Sequence, residues 1–207
     1  MADIYGDNTD NIALNGTDQD DNIYGFDGND TIHGLGGNDT INAGAGLDTV
    51  YGDAGNDVLI VMGADGQAGK SFDGGTGVNT LYAQANTDIS GISLNNIQTL
   101  EVDSFNNIRL TATQLAGFTT LIADSGTMRI IAPTAGHYDL TGKNVTGTVN
   151  FIVDSANTGP VSFTGDSHNQ EIWDGSGDDT LLGMGGDDTI YATSGNNTLD
   201  GGDGNDT

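Results

Sequence analysis

The sequence predicts an all-β protein, a β-solenoid built from a short repeat, and three observations support this class. A nine-residue repeat occurs four times without a gap over residues 25–60. Glycine, a carboxylate and an aliphatic residue return at the same positions each time, which is typical of repeat architectures. Between two such blocks, short apolar runs are separated by Gly, Asn, Asp and Ser, which is the pattern of strands and turns.

Composition indicates which partners this chain can have. Its 207 residues include 30 acidic and 4 basic ones, with a formal net charge of -26. Nucleic acid is excluded as a partner because phosphate contacts need Lys and Arg. Self-repulsion and the entropy cost of 34 glycines both oppose folding. We therefore expect cations to be the partner, bound through oxygen atoms because cysteine is absent.

Neither a Sec-type signal peptide nor a membrane span is expected from the sequence. The N-terminal residues have neither the basic start nor the apolar stretch of a Sec-type signal peptide. No apolar run reaches the roughly 18 residues that a membrane span requires, so no span is expected.

The first predicted block covers residues 1–82 and begins in the middle of a repeat. From residue 16 the register is firm, and the sixth position of each repeat carries an acid. These sixth residues are Asp21, Asp30, Asp39, Asp48 and Asp57. The phase is lost over residues 61–72 and returns once in residues 74–82, where Asn79 replaces the aspartate.

The central region, residues 83–164, has fewer acids and more β-branched residues. Similar segments at 99–104, 120–125 and 150–155 favour solenoid coils with one enlarged loop. The alternative is a small β-sandwich inserted between two repeat blocks.

The second predicted block covers residues 165–207. Its first repeat is degenerate and has Gln170 at the sixth position. The sixth residues of the following repeats are Asp179, Asp188, Asn197 and Asp206. The last repeat stops at its seventh residue and lacks the aliphatic one.

The spacing of the repeat predicts a metal site. The first six residues would form a turn and the last three a short strand, with two repeats in each coil. Stacked turns would place carboxylates one strand spacing apart, about 4.8 Å, where like charges repel unless a cation separates them. Several carbonyl oxygens with carboxylates in flexible geometry suit Ca²⁺ better than Mg²⁺. Each coil buries only two aliphatic side chains, so we expect both blocks to be disordered without calcium.

The predicted ligands are oxygen atoms of the turns. Side-chain ligands are expected from the sixth-position aspartates, from the third-position Asp27 and Asp203, and from the amides Asn79 and Asn197, which bring no charge. Carbonyl ligands are expected at glycines, which allow close approach of the backbone. These glycines are Gly25, Gly34, Gly36, Gly52, Gly183, Gly185 and Gly201. Pairing of alternate turns predicts roughly five to eight ions, with affinities of about 10⁻⁴ to 10⁻³ M by comparison with extracellular modules.

Residues 16–60, 74–82 and 174–207 resemble the RTX (repeats-in-toxin) family, whose calcium-binding consensus is G-G-x-G-x-D-x-U-x. The resemblance implies a right-handed parallel β-roll with calcium between stacked turns. It also implies type I secretion of an unfolded chain, and hence a secreted or cell-surface protein of a Gram-negative bacterium. The secretion signal that usually follows such repeats is not found, so we expect a fragment or another export route. A merely Gly/Asp-rich disordered tract is the competing interpretation, but it does not account for residues kept in phase.

No active site is predicted from the sequence, and we expect the protein not to be an enzyme. The HExxH, GxSxG and P-loop motifs are absent. His137 near Asp139 is one candidate base, but a single such pair in a loop-like stretch more often has a structural role.

Three functions fit these observations. The first is an extracellular structural protein that assembles head to tail into a filament, biofilm matrix or S-layer. It is favoured because Thr207 ends at the seventh position while residues 3–5 supply the seventh to ninth. The second is a calcium-dependent accessory or carbohydrate-binding module of a type I secreted enzyme. The third is an adhesin segment that contacts a cell surface.

Overall fold

A computed structural model describes residues 1–11, 13–63, 68–84, 86–103 and 107–207. The chain divides into two compact units, residues 1–103 and 104–207. Each unit is a parallel β-solenoid, so the predicted fold class is confirmed. The three-part division at residues 82 and 164 remains a prediction.

The strands of the first unit are short and regularly spaced. They are β1 (Asp3–Tyr5), β2 (Leu14–Asn15), β3 (Asn22–Tyr24), β4 (Thr31–His33), β5 (Thr40–Asn42), β6 (Thr49–Tyr51), β7 (Val58–Val61), β8 (Ser71–Asp73), β9 (Thr80–Ala83), β10 (Ser93–Asn95) and β11 (Thr99–Val102). Odd-numbered strands form one parallel sheet in the order β1-β3-β5-β7-β9-β11, and even-numbered strands form a second in the order β2-β4-β6-β8-β10. Two repeats therefore make one coil, as predicted.

The core of the first unit is a row of eighth-position side chains. Ile23 pairs with Ile41, and Ile41 pairs with Leu59 on the same sheet. Because side chains alternate along a strand, the flanking seventh and ninth residues are more exposed. The buried row, with 0–1% exposure, consists of Ile23, Ile32, Ile41, Val50, Leu59, Phe72 and Leu81.

The second unit contains longer strands and one helix. Its elements are β12 (Asn107–Arg109), α1 (Ala112–Gly117), β13 (Thr120–Ala132), β14 (Gly136–Asp139), β15 (Asn144–Val153), β16 (Val161–Thr164), β17 (Glu171–Trp173), β18 (Thr180–Leu182), β19 (Thr189–Tyr191) and β20 (Thr198–Asp200). One sheet runs β13-β15-β17-β19 with β12 paired to β13, and the other runs β14-β16-β18-β20. Aromatic rings pack in its core, with Phe151 stacked on Phe163 at 4.3 Å between ring centroids.

The β-sandwich alternative for the central region is wrong. Its strand pairs β12 with β13, β13 with β15, and β14 with β16 are all parallel, whereas sandwich sheets are antiparallel. The second and third of the similar segments, 120–125 and 150–155, are not register partners, however. Leu121 pairs with Val145, and Phe151 pairs with Ile130. The register also shifts between Ile122 and Thr127. Ser104 of the first segment lies outside the described residues.

Helix α1 was not predicted from the sequence. Its first turn is closed by a capping box, in which the Thr111 hydroxyl accepts the N–H of Gln114 and the Gln114 side chain accepts the N–H of Thr111. Leu115 anchors the helix in the core with 0% exposure. The Thr-x-x-Gln spacing was a readable signal for this helix.

We predict that Leu59→Ala destabilises the first unit by about 2–5 kcal/mol, because a fully buried leucine leaves a cavity. Leu47→Ala is the matched control, since that leucine is 51% exposed and should change stability by less than about 0.5 kcal/mol. Urea unfolding in saturating calcium measures both variants. Equal shifts for the two would contradict the inward placement of the eighth position.

Candidate metal centres

All the sixth-position aspartates except Asp206 are buried at the end of a turn, immediately before a strand. Asp39 is 1% exposed, and its Oδ1 accepts the backbone N–H of Asp21 at 2.8 Å. Asp57 Oδ1 accepts the N–H of Asp39 at 2.9 Å, and on the other side of the coil Asp48 Oδ1 accepts the N–H of Asp30 at 2.9 Å. We call this series the carboxylate ladder. One oxygen of each carboxylate therefore binds the coil before it.

The second carboxylate oxygen has no donor in four of these turns. The Oδ2 atoms of Asp30, Asp39, Asp57 and Asp188 are buried and make no hydrogen bond. An ionised oxygen buried in this way costs several kcal/mol unless a partner compensates it. A positive charge bound beside Oδ2 would therefore stabilise each of these four turns.

A backbone carbonyl lies beside each unpartnered oxygen. A Cβ built on Gly25 would lie 2.7 Å from Asp30 Oδ2 and would also contact the carbonyl oxygen of Ala43. On Gly52 it would lie 2.7 Å from the carbonyl oxygen of Gly74 and would contact Asp57 Oδ2. Gly34 and Gly183 stand in the same relation to their own aspartates. The first-position glycine thus leaves space where two acceptors converge, which is a cradle for a cation.

The second residue of these four turns has a left-handed backbone. Phe26 and Leu35 have φ of 72°, Asp53 67° and Met184 79°. Such a conformation costs on the order of 1–3 kcal/mol for a residue with a side chain. It lets the Leu35 carbonyl accept the N–H of Ala54 in the next coil at 3.0 Å. We call the turns of Asp30, Asp39, Asp57 and Asp188 open turns.

Two other turns satisfy their carboxylate with their own donors. Asp21 Oδ2 accepts the N–H of Thr17 at 2.8 Å and its hydroxyl at 2.7 Å, and Asp179 Oδ2 accepts the N–H of Gly175 at 3.1 Å. Neither Thr17 nor Gly175 has a positive φ. The hydrogen bonds from the Thr17 hydroxyl and the Ala2 N–H lower the pKa of Asp21. We call these closed turns, because the chain itself supplies the donor.

The two sixth-position asparagines present nitrogen where the aspartates present oxygen. Asn79 Oδ1 accepts the N–H of Asp57 at 2.9 Å, as in the ladder, but its Nδ2 donates to the carbonyl oxygen of Asn96 at 3.0 Å. Asn197 Oδ1 accepts the N–H of Asp179 at 2.9 Å, and its Nδ2 donates to Asp174 Oδ2. An amide therefore keeps the ladder and fills the cradle with a donor.

The donor set of the open turns fits calcium. Within the described ranges no three His, Cys, Asp or Glu side chains are grouped closely enough to hold a metal ion. The protein oxygens at each open turn are the Oδ2 of one carboxylate and a backbone carbonyl oxygen. Ca²⁺ accepts mixed carbonyl and carboxylate oxygens in flexible geometry, whereas Mg²⁺ demands a tight octahedron.

A family comparison supports the same conclusion from the sequence side. The model of the RTX calcium-binding nonapeptide repeat (4 copies) family matches this chain at residues 5–41, 24–59 and 164–207. Both blocks are RTX calcium-binding repeats. The predicted resemblance is thus confirmed, and RTX nonapeptide repeats bind Ca²⁺. A search of curated proteins finds no match to the chain.

The remaining predicted ligands lie elsewhere in these RTX turns. Asp48 pairs with a lysine, and Asp206 is exposed, although its Oδ1 accepts the N–H of Asp188 and its Oδ2 lies beside Gly201. The third-position residues Asp27, Gly36, Gly185 and Asp203 form parallel bridges between successive turns. The side chains of Asp27 and Asp203 are exposed.

Two sets of polar residues were not predicted from the sequence. Fifth-position Asn and Asp side chains form a second, exposed ladder, in which Asn38 Oδ1 accepts the N–H of Asn56 and Asp20 Oδ1 accepts that of Asn38, each at 2.7 Å. Their recurrence every nine residues was the available signal. The other is Asp166, whose Oδ2 is buried without a hydrogen bond close to Gln170, whose Oε1 is likewise unpartnered.

His137 lies between Ser162 and Asp139. Its Nδ1 is 3.0 Å from Ser162 Oγ, and its Nε2 is 3.6 Å from Asp139 Oδ2. The His137 and Asp139 side chains are 57% and 40% exposed, so water competes for these contacts. The Asp139 carboxylate also accepts the N–H and hydroxyl of Thr141. This arrangement lies on the exposed surface of β14.

Burial raises the pKa of Asp39 and of Asp57 to about 6. Neighbouring carboxylates add to both shifts, while ladder hydrogen bonds oppose them. In the unfolded chain these acids titrate near 3.8. A raised native pKa means that the folded state binds the proton more tightly, so this contribution to stability is complete below about pH 4 and is lost as the pH rises through 6.

We therefore predict that, in EGTA, the folded fraction falls between about pH 4.5 and about pH 7.5. Circular dichroism follows it, and the Asp39→Asn, Asp57→Asn double variant should show a smaller fall because neither amide titrates. Saturating calcium should also flatten the pH dependence, since the cation replaces the protons. A calcium-free fold that strengthens towards neutral pH would contradict the burial of these carboxylates.

Proposed function

We propose that this protein is an extracellular calcium-binding structural protein whose repeat blocks fold when calcium occupies the open turns. The observation that carries the proposal is the buried Oδ2 of Asp30, Asp39, Asp57 and Asp188, which has no hydrogen-bond donor and faces a carbonyl oxygen. A bound cation is the partner that two converging acceptors require.

One candidate site is assigned to each open turn. Asp30 would hold the ion with the carbonyl of Ala43, and Asp39 with that of Gly52. Asp57 would act with Gly74, and Asp188 with Gly201. The ion supplies positive charge between coils, while the residues of the chain fix its position through the carboxylate ladder. Closed turns and the Asn79 and Asn197 turns are left out of this assignment because their second oxygen or nitrogen already has a hydrogen bond.

Binding at these sites would be coupled to folding. The cradle combines oxygens of neighbouring coils, so it exists only when the coils are stacked, and binding free energy then becomes folding free energy. Extracellular calcium suits sites of about 10⁻⁴ to 10⁻³ M affinity. RTX repeats are typical of secreted Gram-negative proteins. In the part of the chain that the structure describes, no helix is long and apolar enough to cross a membrane.

We predict that the repeat blocks lose their β signal in EGTA at neutral pH and regain it on calcium titration. Far-UV circular dichroism measures this, with magnesium at equal concentration as the control. A full β signal in excess EGTA, or equal recovery with magnesium, would contradict calcium-coupled folding.

The open-turn assignment is tested by exchanging single atoms. Asp39→Asn keeps Oδ1 for the N–H of Asp21 but puts a nitrogen in place of Oδ2, as at Asn79. We expect one calcium ion fewer per molecule and a higher calcium concentration at the folding midpoint. Asp20→Asn removes the same charge from an exposed ladder residue and is the matched control.

Isothermal titration calorimetry and equilibrium dialysis count the ions. The control should bind as many as the wild type. If Asp39→Asn also binds as many as the wild type, Oδ2 of Asp39 is not a calcium ligand.

Head-to-tail self-association remains a prediction. The observation that bears on it is Leu199 of the outer strand β20, which is 47% exposed although its register partner Leu181 is 0% exposed. An added strand would cover Leu199 and the free edge of β20. Sedimentation velocity with and without calcium tests this, and Leu199→Asp should shift the distribution towards monomer. A monomer at high protein concentration in calcium would refute it.

A further inference from the structure

Lys70 is buried beside the Asp48 carboxylate. The residue is 1% exposed, and its Nζ lies 2.8 Å from Asp48 Oδ2. The same amine also donates to the carbonyl oxygen of Gly44. Burying a lysine is costly unless it is paired and hydrogen-bonded. The carboxylate of Asp48 and the carbonyl of Gly44 provide this compensation for the Lys70 ammonium.

Lys70 occupies the sixth position of its own coil. Ser71 pairs with Thr49, the residue that follows Asp48. The N–H of Ser71 donates to the carbonyl of Asp48 at 2.9 Å, just as the N–H of Thr49 donates to that of Asp30 at 2.8 Å. Along this side of the solenoid the sixth residues are thus Asp30, Asp48 and then Lys70. A positive side chain stands where the repeat otherwise places an acid.

Apart from its first residue, which is Ala43 where the open turns have glycine, the Asp48 turn resembles an open turn. Its second residue, Gly44, has φ of 78°, in the range of the open turns. Asp48 is 0% exposed, and its Oδ1 belongs to the carboxylate ladder. The difference is that Asp48 Oδ2 has a donor, the Lys70 amine, whereas Oδ2 of Asp30 has none.

We propose that the Lys70 ammonium replaces a calcium ion in the Asp48 turn. This inference rests on the proposed calcium binding by the open turns and extends it to a turn that needs no metal. The amine contacts the two kinds of oxygen expected to bind the ion, a sixth-position carboxylate and a turn carbonyl. The chain thereby neutralises this turn at any calcium concentration, and the open turn of Asp30 is the calcium site assigned to this side of the first unit.

Replacing Lys70 tests the proposal. Lys70→Ala removes the amine and frees its space, and Lys70→Asp restores the acid found at the sixth position of other repeats. Each is combined with Ala43→Gly, which restores the first-position glycine of the open turns. Each combined variant should bind one more calcium ion per molecule than Ala43→Gly alone. Lys143→Ala is the control, because the Lys143 amine donates to the carbonyl of Phe118, away from the repeat turns. It should bind as many ions as the wild type.

Ion counts come from equilibrium dialysis, with circular dichroism to confirm folding in saturating calcium. An unchanged count in both variants overturns the inference, and so does a variant that stays unfolded in saturating calcium, since calcium could not then replace the amine. A wild type that binds no calcium would instead refute the proposed function. The two failures are therefore distinguishable.

Discussion

The structure depends on a buried carboxylate whose two oxygens have different roles. Oδ1 of each sixth-position aspartate accepts a backbone N–H from the preceding coil, so it sets the stacking of one coil on the next. Oδ2 faces a carbonyl and has no donor in the open turns. Two such charges one strand spacing apart repel by roughly 3.5 kcal/mol at an effective dielectric constant of about 20. Oδ1 therefore stabilises the stacking of the coils, whereas the unpaired charge on Oδ2 destabilises it.

The chain resolves this destabilisation in four ways. Closed turns donate a backbone N–H to Oδ2, as Gly175 does to Asp179. In the Asp48 turn the Lys70 amine donates to Oδ2. In the Asn79 turn the amide nitrogen stands in place of the second oxygen and donates to a backbone carbonyl. Open turns leave the oxygen for a cation. All four keep the ladder geometry, which explains why a turn can lose its need for metal without losing its place in the solenoid.

How far the sequence could predict this arrangement differs between positions. The sixth and eighth positions were predictable because both follow the nine-residue period, and the buried Asp39 and Leu59 lie where that period places them. Lys70 was missed because extra residues before it break the spacing, with Asp57 and Asn79 separated by 22 residues instead of 18. The left-handed backbone of Phe26, Leu35 and Met184 was equally hidden, since none of these is a glycine or asparagine. In the central region, local propensity predicted strands but not the pairing of β13 with β15. That register shifts between Ile122 and Thr127 and depends on contacts of both strands together.

Metal dependence should follow from how much apolar surface each coil buries. A repeat coil buries little more than its two eighth-position side chains, such as Ile32 and Ile41. By contrast, β13 and β15 bury several apolar side chains each, and Phe151 and Phe163 stack between the sheets of the second unit. At about 1.5–3 kcal/mol for each buried side chain, these coils gain several kcal/mol that the repeat coils lack. Under the proposed function, cations are needed in the coils that bury the least apolar surface, and these are the coils in which the acidic residues recur.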